Sequence, residues 1–448
     1  MKVYLLLILF VGLSFCLSSW ETRHYELTDN GFLDAASPDS MIGILCGVRD
    51  NVGGIIYKTT DGGTNWQEFQ PWTINECMFV FGMDFVNQDI GYLTGMGLIF
   101  NILPAAVLYK TIDGGNSWTN IYGLSLEFVG KMWDDVFFVD LNNGWLAGAN
   151  SDIRRTTNGG SSWTTQSAPV SGSLKSIYFI NSNEGWIVGG DYDTLTGQGI
   201  NGLILHTTNG GTNWTVQVSN VPYEFWDVYF TDNLNGWVCG YKDTASPGIF
   251  YHTTNGGNNW IEVMAPSVTT GHYGLYAIKF TDAQTGFSVG GGNRLGWQGS
   301  YFGIFLNTTD GGSQWTVDTV IFDNDPWGVC PLGMDMFNSR WGYAGGARLS
   351  AFRYTPMGGQ MIAENRIEII SADENQTIFS SQQEIVLDIS QKEGYTKIEI
   401  YNILGRRILI KEINKAKSVS LPNLSPGHYF IRLYREQGEP LVKKIITL

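Results

Sequence analysis

The chain has 448 residues with 27 Lys+Arg against 42 Asp+Glu, and 43% of it is apolar. That apolar content is enough for a buried core and excludes global disorder. A net charge of -15 argues against nucleic acid as the main partner, because phosphate binding needs a basic footprint.

At the N-terminus, Lys2 is followed by an apolar run from Val3 to Leu17 and by the small residues Ser18 and Ser19. The run falls short of the roughly 20 residues a spanning helix needs, so residues 1–19 read as a secretory signal peptide. No later segment is long and apolar enough to span a membrane, which predicts a mature protein outside the bilayer. Cys46, Cys77, Cys239 and Cys330 remain after cleavage. Cys46 and Cys239 occupy the same place in two copies of a repeat and read as buried strand residues. Cys77 and Cys330 each precede an inner strand, and their spacing leaves a bridge open.

From residue 20 to about 355 the chain repeats itself. Thr-x-Asp/Asn-Gly-Gly-x-x-Trp occurs six times, with its acidic or amide residue at Asp61, Asp113, Asn158, Asn209, Asn255 and Asp310. The six closing tryptophans are Trp66, Trp118, Trp163, Trp214, Trp260 and Trp315, spaced 52, 45, 51, 46 and 55 residues apart. A Gly-apolar-x-x-Gly string precedes each copy, and a seventh stands alone at Gly342 to Gly346. Before most of these lies a short alternating run that ends in Phe: Phe85, Phe138, Phe179, Phe230 or Phe280. Four short strands per 45–50 residues predict propeller blades. The Asx side chain closes a local turn and the glycines supply positive φ between strands three and four. The Trp then buries a large face between blades.

Seven second strands against six turn boxes predict that the two chain ends share the last blade. Trp20-Glu21-Thr22 reads as the outer strand that completes Met334 to Tyr354. The expected class is therefore all-β: a seven-bladed β-propeller over residues 20–357, a linker at 358–364, and a small C-terminal β-sandwich over 365–448.

The six boxes resemble the Asp-box (bacterial neuraminidase) repeat. With Gly-Trp-x-x-Gly ahead of them they look most like the photosystem II stability/assembly factor-like propellers. The resemblance implies that the box is structural and lies away from the ligand, so it carries fold further than function. It also implies a basic binding face, whereas residues 1–364 carry 15 Lys+Arg against 32 Asp+Glu, so a photosynthetic role fits poorly.

In the tail, residues 365–448 hold 12 Lys+Arg and 10 Asp+Glu, and Trp disappears. Alternating runs such as Lys397 to Asn402 and His428 to Tyr434, with turns at Leu404-Gly405 and Ser425-Pro426-Gly427, read as a small sandwich. Ile400 to Arg406, Leu421 to Leu433 and Lys443-Lys444-Ile445-Ile446 resemble the type IX secretion C-terminal sorting domain. That resemblance implies passage through the periplasm of a diderm bacterium, engagement of a type IX-like secretion machinery, and a secreted or surface-attached product.

Loops leading into inner strands, and those joining strands two and three, vary in length while the boxes stay constant. Variation on one face of a rigid scaffold is where binding concentrates. The candidate ligand residues are Trp133, Asp135, Tyr192, Trp226, Asp227, Arg294, Trp297 and Trp327. Asp135 and Asp227 stand three residues before the strand Phe of their blades, and Asp34 is their equivalent in blade one. Read as chemistry they form an acid–base or nucleophile pair of a glycoside hydrolase. Read as structure they bond backbone N–H groups at a blade entrance, which repeats favour. A sialidase would need three clustered Arg and a Tyr nucleophile, and Phe352-Arg353-Tyr354-Thr355-Pro356 matches its Arg string only faintly. No zinc, calcium-loop, phosphate-loop or nucleophile-elbow pattern occurs, so no metal or cofactor is expected. The expectation is an exported, non-catalytic binding or adhesion propeller for a protein or glycan. A glycoside hydrolase of sialidase or xyloglucanase type is the alternative.

Overall fold

The computed structural model describes residues 20–24, 31–49, 52–73, 75–243, 246–268, 271–294, 301–322 and 330–354, and beyond them eight strands between 368 and 447. The signal peptide, the 358–364 linker, Trp297 and Trp327 lie outside the described residues. The chain divides into two compact units, 1–359 and 360–448.

The first unit is a seven-bladed β-propeller, each blade a four-stranded antiparallel sheet. Six blades run in chain order, as in blade three: Trp133–Phe138 innermost, then Gly144–Gly148, Asp152–Thr156 and Thr164–Gln166. The seventh holds Pro331–Asn338, Trp341–Gly346 and Ser350–Tyr354, and its outer strand is Trp20–His24 from the other end of the chain. Trp20 pairs with Tyr354, Glu21 with Arg353 and Thr22 with Phe352. Trp20 is buried and stacks on Phe305 of blade six at 4.6 Å. The ring is thus closed by strand pairing between its ends, which removes two sheet edges at once.

Aromatic rings cement the blades. The second-strand aromatic of one blade stacks on the inner-strand Phe of the next: Tyr92 on Phe138 at 3.6 Å, Trp145 on Phe179 at 3.5 Å, Trp186 on Phe230 at 3.5 Å. The box Trp then meets the same Phe edge-on, as Trp163 does with Phe138 and Trp260 with Phe230. Such pairs contribute about 0.5–1.5 kcal/mol each beyond the area they bury.

Each box closes through one hydroxyl. In blade two Thr111 Oγ1 donates to Asp113 Oδ1 and accepts from the Gly115 N–H, while Asp113 Oδ1 also accepts from the Ser117 N–H. The same set recurs at Thr59, Thr156, Thr207, Thr253 and Thr308. Both box glycines hold positive φ, 68° and 84° at Gly114 and Gly115. The first of them also donates its N–H to the turn between strands one and two of its own blade, Gly159 to Asn142 O for example. Boxes and inner turns therefore share one face, and the loops leading into the inner strands open on the other.

All four described cysteines are free, so there is no Cys77–Cys330 bridge. Cys77 Sγ instead donates to Phe79 O in blade two, while Cys330 precedes the inner strand of blade seven. The second unit consists of two antiparallel sheets, one of five strands with Glu368–Ile369 and Arg407–Glu412 at its edges and one of three.

Candidate functional site

Every inner strand carries a β-bulge at the same point. The register slips between Phe32 and Asp34, Val80 and Met83, Trp133 and Asp135, Leu174 and Ser176, Phe225 and Asp227, Leu275 and Ala277, and Pro331 and Gly333. A bulge turns two consecutive side chains toward the same side of a strand. Here that side is the central channel. The leading residues, Leu33, Phe81, Asp134, Lys175, Trp226, Tyr276 and Leu332, line a mouth cavity of about 430 Å³ together with the residues that follow them.

The second glycine of Gly-x-x-x-Gly exists because of this bulge. A Cβ at Gly148 would fall on Met132 O, one at Gly189 on Ser173 O, one at Gly290 on Gly274 O, and one at Gly346 on Cys330 O. In each case the carbonyl belongs to the residue two before the bulged one. The first glycine has a different cause, since a Cβ at Gly144, Gly185 or Gly236 would meet the ring of its own blade's inner-strand Phe.

Below the mouth lies a second cavity of about 200 Å³ lined by Asp34, Asp84, Asp135, Asp227 and Asp335 with Lys279. These carboxylates staple neighbouring blades. Asp135 Oδ1 accepts the Val136 N–H of its own strand and Oδ2 the Ile177 N–H of blade four. Asp227 accepts from Val228 and from Ile278 of blade six, with Ser176 Oγ donating as well. Asp34 bridges Ala35 and Met83, Asp84 reaches the Phe138 N–H, and Asp335 reaches the Ser37 N–H across the closure. Burial raises Asp34 well above the usual carboxylate range, and raises Asp84 and Asp227 to about 6 and Asp135 to about 7, against these hydrogen bonds. Lys279 is depressed by burial, but its 2.9 Å ion pair with Asp335 more than offsets this and keeps it charged.

The residues nominated from sequence thus separate. Asp135 and Asp227 share the channel, each with both oxygens engaged by backbone. Trp226 stands above them in the mouth, half-buried, with the Tyr276 ring edge-on at 5.3 Å and Lys175 Nζ 4.7 Å over its own ring. Trp133 is elsewhere: it is fully buried in its blade, stacked on Tyr122 at 5.5 Å, with Nε1 donating to Asp152. It stands one residue ahead of the bulge, so its side chain points away from the channel. Tyr192 is exposed on the long hairpin of blade four, 5.8 Å from Tyr241. Arg294 ends the second strand of blade six. Asp134 and Tyr276 fall in the variable loops leading into the inner strands but are not among the candidate ligand residues read from the sequence, and Lys175 and Phe81 carry no sequence signal beyond the paired Gly that marks where each bulge must be.

Among the described residues no group of three or more His, Cys, Asp or Glu is arranged to hold a metal ion, and no helix is long and apolar enough to cross a membrane.

The fold and the boxes define an Asp-box β-propeller with a recognition-sized cavity on the face away from the boxes. Residues 123–220 match the family described as Photosynthesis system II assembly factor YCF48, and residues 379–447 match the Secretion system C-terminal sorting domain. The chain is 25% identical over 333 residues to a Photosystem II assembly lipoprotein Ycf48 of Synechococcus sp. (strain CC9902), covering 71% of this chain and 87% of that one. Two solved structures share the fold. One is YCF48 bound to D1 peptide (TM-score 0.53, 19% identity, 75% of this chain and 97% of that one). The other is the GH74 enzyme of Niastella koreensis (TM-score 0.56, 13% identity, 83% of this chain and 59% of that one). The sorting domain indicates export, to the secreted fraction or the cell surface, and engagement of the secretion machinery that reads it.

Proposed function

We propose that this is an exported, non-catalytic binding or adhesion protein that recognises a protein or glycan at the bulge-lined mouth of its propeller. The observation that carries the reading is the contrast between constancy and variation. Boxes, paired glycines and stapling aspartates repeat from blade to blade. The seven bulged residues differ in size, polarity and charge, as a site built for one ligand requires. Tyr192, Arg294, Trp226, Trp297 and Trp327 are the outer contacts in this reading. The signal peptide delivers the chain to the periplasm of a diderm bacterium, and the tail, its two sheets packed as a small sandwich, takes it across the outer membrane.

Binding is favoured over hydrolysis because the oxygens of Asp135 and Asp227 already accept backbone N–H groups. A general acid or nucleophile needs an oxygen free to face substrate. The peptide-bound YCF48 neighbour and the GH74 neighbour show that this fold hosts either class of function.

The test is a glycan panel and a peptide array scored for binding and for product, with Trp226→Ala beside the native chain. Retention without product, lost in Trp226→Ala at unchanged thermal stability, supports the proposal. Cleavage of a bound glycan that disappears in Asp135→Asn or Asp227→Asn establishes the hydrolase instead.

A further inference from the structure

The mouth cavity contains one acceptor that the protein leaves without a partner. Asp134 lines the cavity, and its Oδ2 is buried yet receives no hydrogen bond within the protein. The carboxylates beneath it contrast with this: Asp34, Asp135 and Asp227 also line the cavity, but each takes a backbone N–H on both oxygens. They are committed to joining the blades, while Asp134 Oδ2 keeps an unused acceptor. A buried acceptor without a donor is costly, and a ligand donor recovers that cost on binding.

The walls indicate what that donor is attached to. Leu33, Leu332 and Met334 are apolar, and Phe81, Trp226 and Tyr276 are aromatic. Aromatic faces attract cations, and Lys175 already places its Nζ 4.7 Å over the Trp226 ring. Lys175 is drawn off toward Glu224, whose carboxylate lies 3.8 Å from that ammonium and next to the Trp226 N–H. The lining without that pair is acidic, as is the propeller as a whole. Trp226 and Tyr276 meet at 82°, so they offer no shared plane on which a sugar ring could stack. A cavity with apolar and aromatic walls and an acid inside it suits a long aliphatic stem that ends in an ammonium group.

We propose that the mouth cavity is a receptor for a lysine side chain of a protein partner, with the ammonium on Asp134 Oδ2 and the methylene stem among Phe81, Trp226, Tyr276 and the two leucines. The assignment rests on the mouth being the binding face, and goes further by naming the chemical group recognised there. Burial raises the Asp134 pKa to about 6, and the nearby Lys175 ammonium limits the rise.

The experiment uses the purified chain labelled with 5-fluorotryptophan, its Trp226 resonance identified by Trp226→Phe. N-acetyl-lysine methylamide is titrated against N-acetyl-norleucine methylamide, which has the stem without the charge, and against glucosamine. The lysine probe is expected to shift the Trp226 signal saturably at a concentration at least tenfold below either comparator. Asp134→Asn should weaken it tenfold or more, and Lys175→Met should tighten it. Equal response to norleucine, tighter binding of glucosamine, or indifference to Asp134→Asn overturns the assignment. The norleucine comparison is made in the native chain, so it holds even where a variant folds poorly. Should an array ligand bind through Trp226 while the lysine probe does not, the lysine assignment falls and the binding reading stands. Should neither occupy the mouth, both fall.

Discussion

Two adjacent carboxylates with different roles share one strand in blade three. Asp135 is a structural staple and Asp134, its neighbour, is the open acceptor. Composition does not distinguish them, because the difference lies in which backbone N–H groups each oxygen finds. The structural role predicts a cost for Asp135→Asn, since the amide NH₂ would confront either the Val136 or the Ile177 N–H. Leaving a buried donor unsatisfied costs about 1–3 kcal/mol, to be read from denaturant unfolding. The deficit should also depend on pH. A carboxyl whose native pKa of about 7 exceeds the ordinary value binds a proton that the unfolded chain releases. Its contribution is complete below about pH 4 and is lost as pH rises through 7. The gap between native chain and variant should therefore widen from pH 8 to pH 5. A gap that narrows over that range contradicts the assignment.

At the scale of the strand, the bulge is what converts a repeat into a site. Bulges leave no residue signature of their own, yet their consequence is written on the facing strand. A carbonyl pushed toward its partner excludes every Cβ there, and the result is the second glycine of Gly-x-x-x-Gly in all seven blades. The blade pattern, the turn boxes and the shared last blade were readable for the same reason: each is a local rule repeated. The ring was not readable in full, because Leu33, Phe81, Lys175, Tyr276 and Leu332 share a position but no chemistry. Trp133 was nominated for the face and lies in the core, because it sits one residue before the slip, where alternation still holds. The strand account makes a paired prediction. Gly148→Ala drives a Cβ into Met132 O and should cost about 1–3 kcal/mol or more, whereas Gly172→Ala meets only the end of the flexible Leu203 side chain and should cost clearly less. Thermal unfolding of the two variants checks this, and equal losses contradict it.

For the whole molecule, closure depends on five residues at the opposite end of the chain from the last blade. Trp20 fills the space between blades six and seven where a box Trp would otherwise stand. Trp20→Ala should cost about 3–5 kcal/mol, the range for emptying a large aromatic site. It should also speed exchange of amides on Ser350–Tyr354, which Trp20–His24 covers. Exchange there no faster than in blade three contradicts closure by that strand. Closure matters for function because it holds seven bulges in one ring around a single mouth, and the exported setting gives that mouth access to molecules outside the cell.

The most direct test of that arrangement is hydroxyl-radical footprinting of the propeller with a peptide or glycan bound. Protection is predicted at Phe81, Trp226 and Tyr276, with none at Leu141 and Leu234, which are exposed at 49% and 50% on the inner turns of the box face. Protection of Leu141 and Leu234 with the mouth residues unchanged would place recognition on the opposite face and contradict the account.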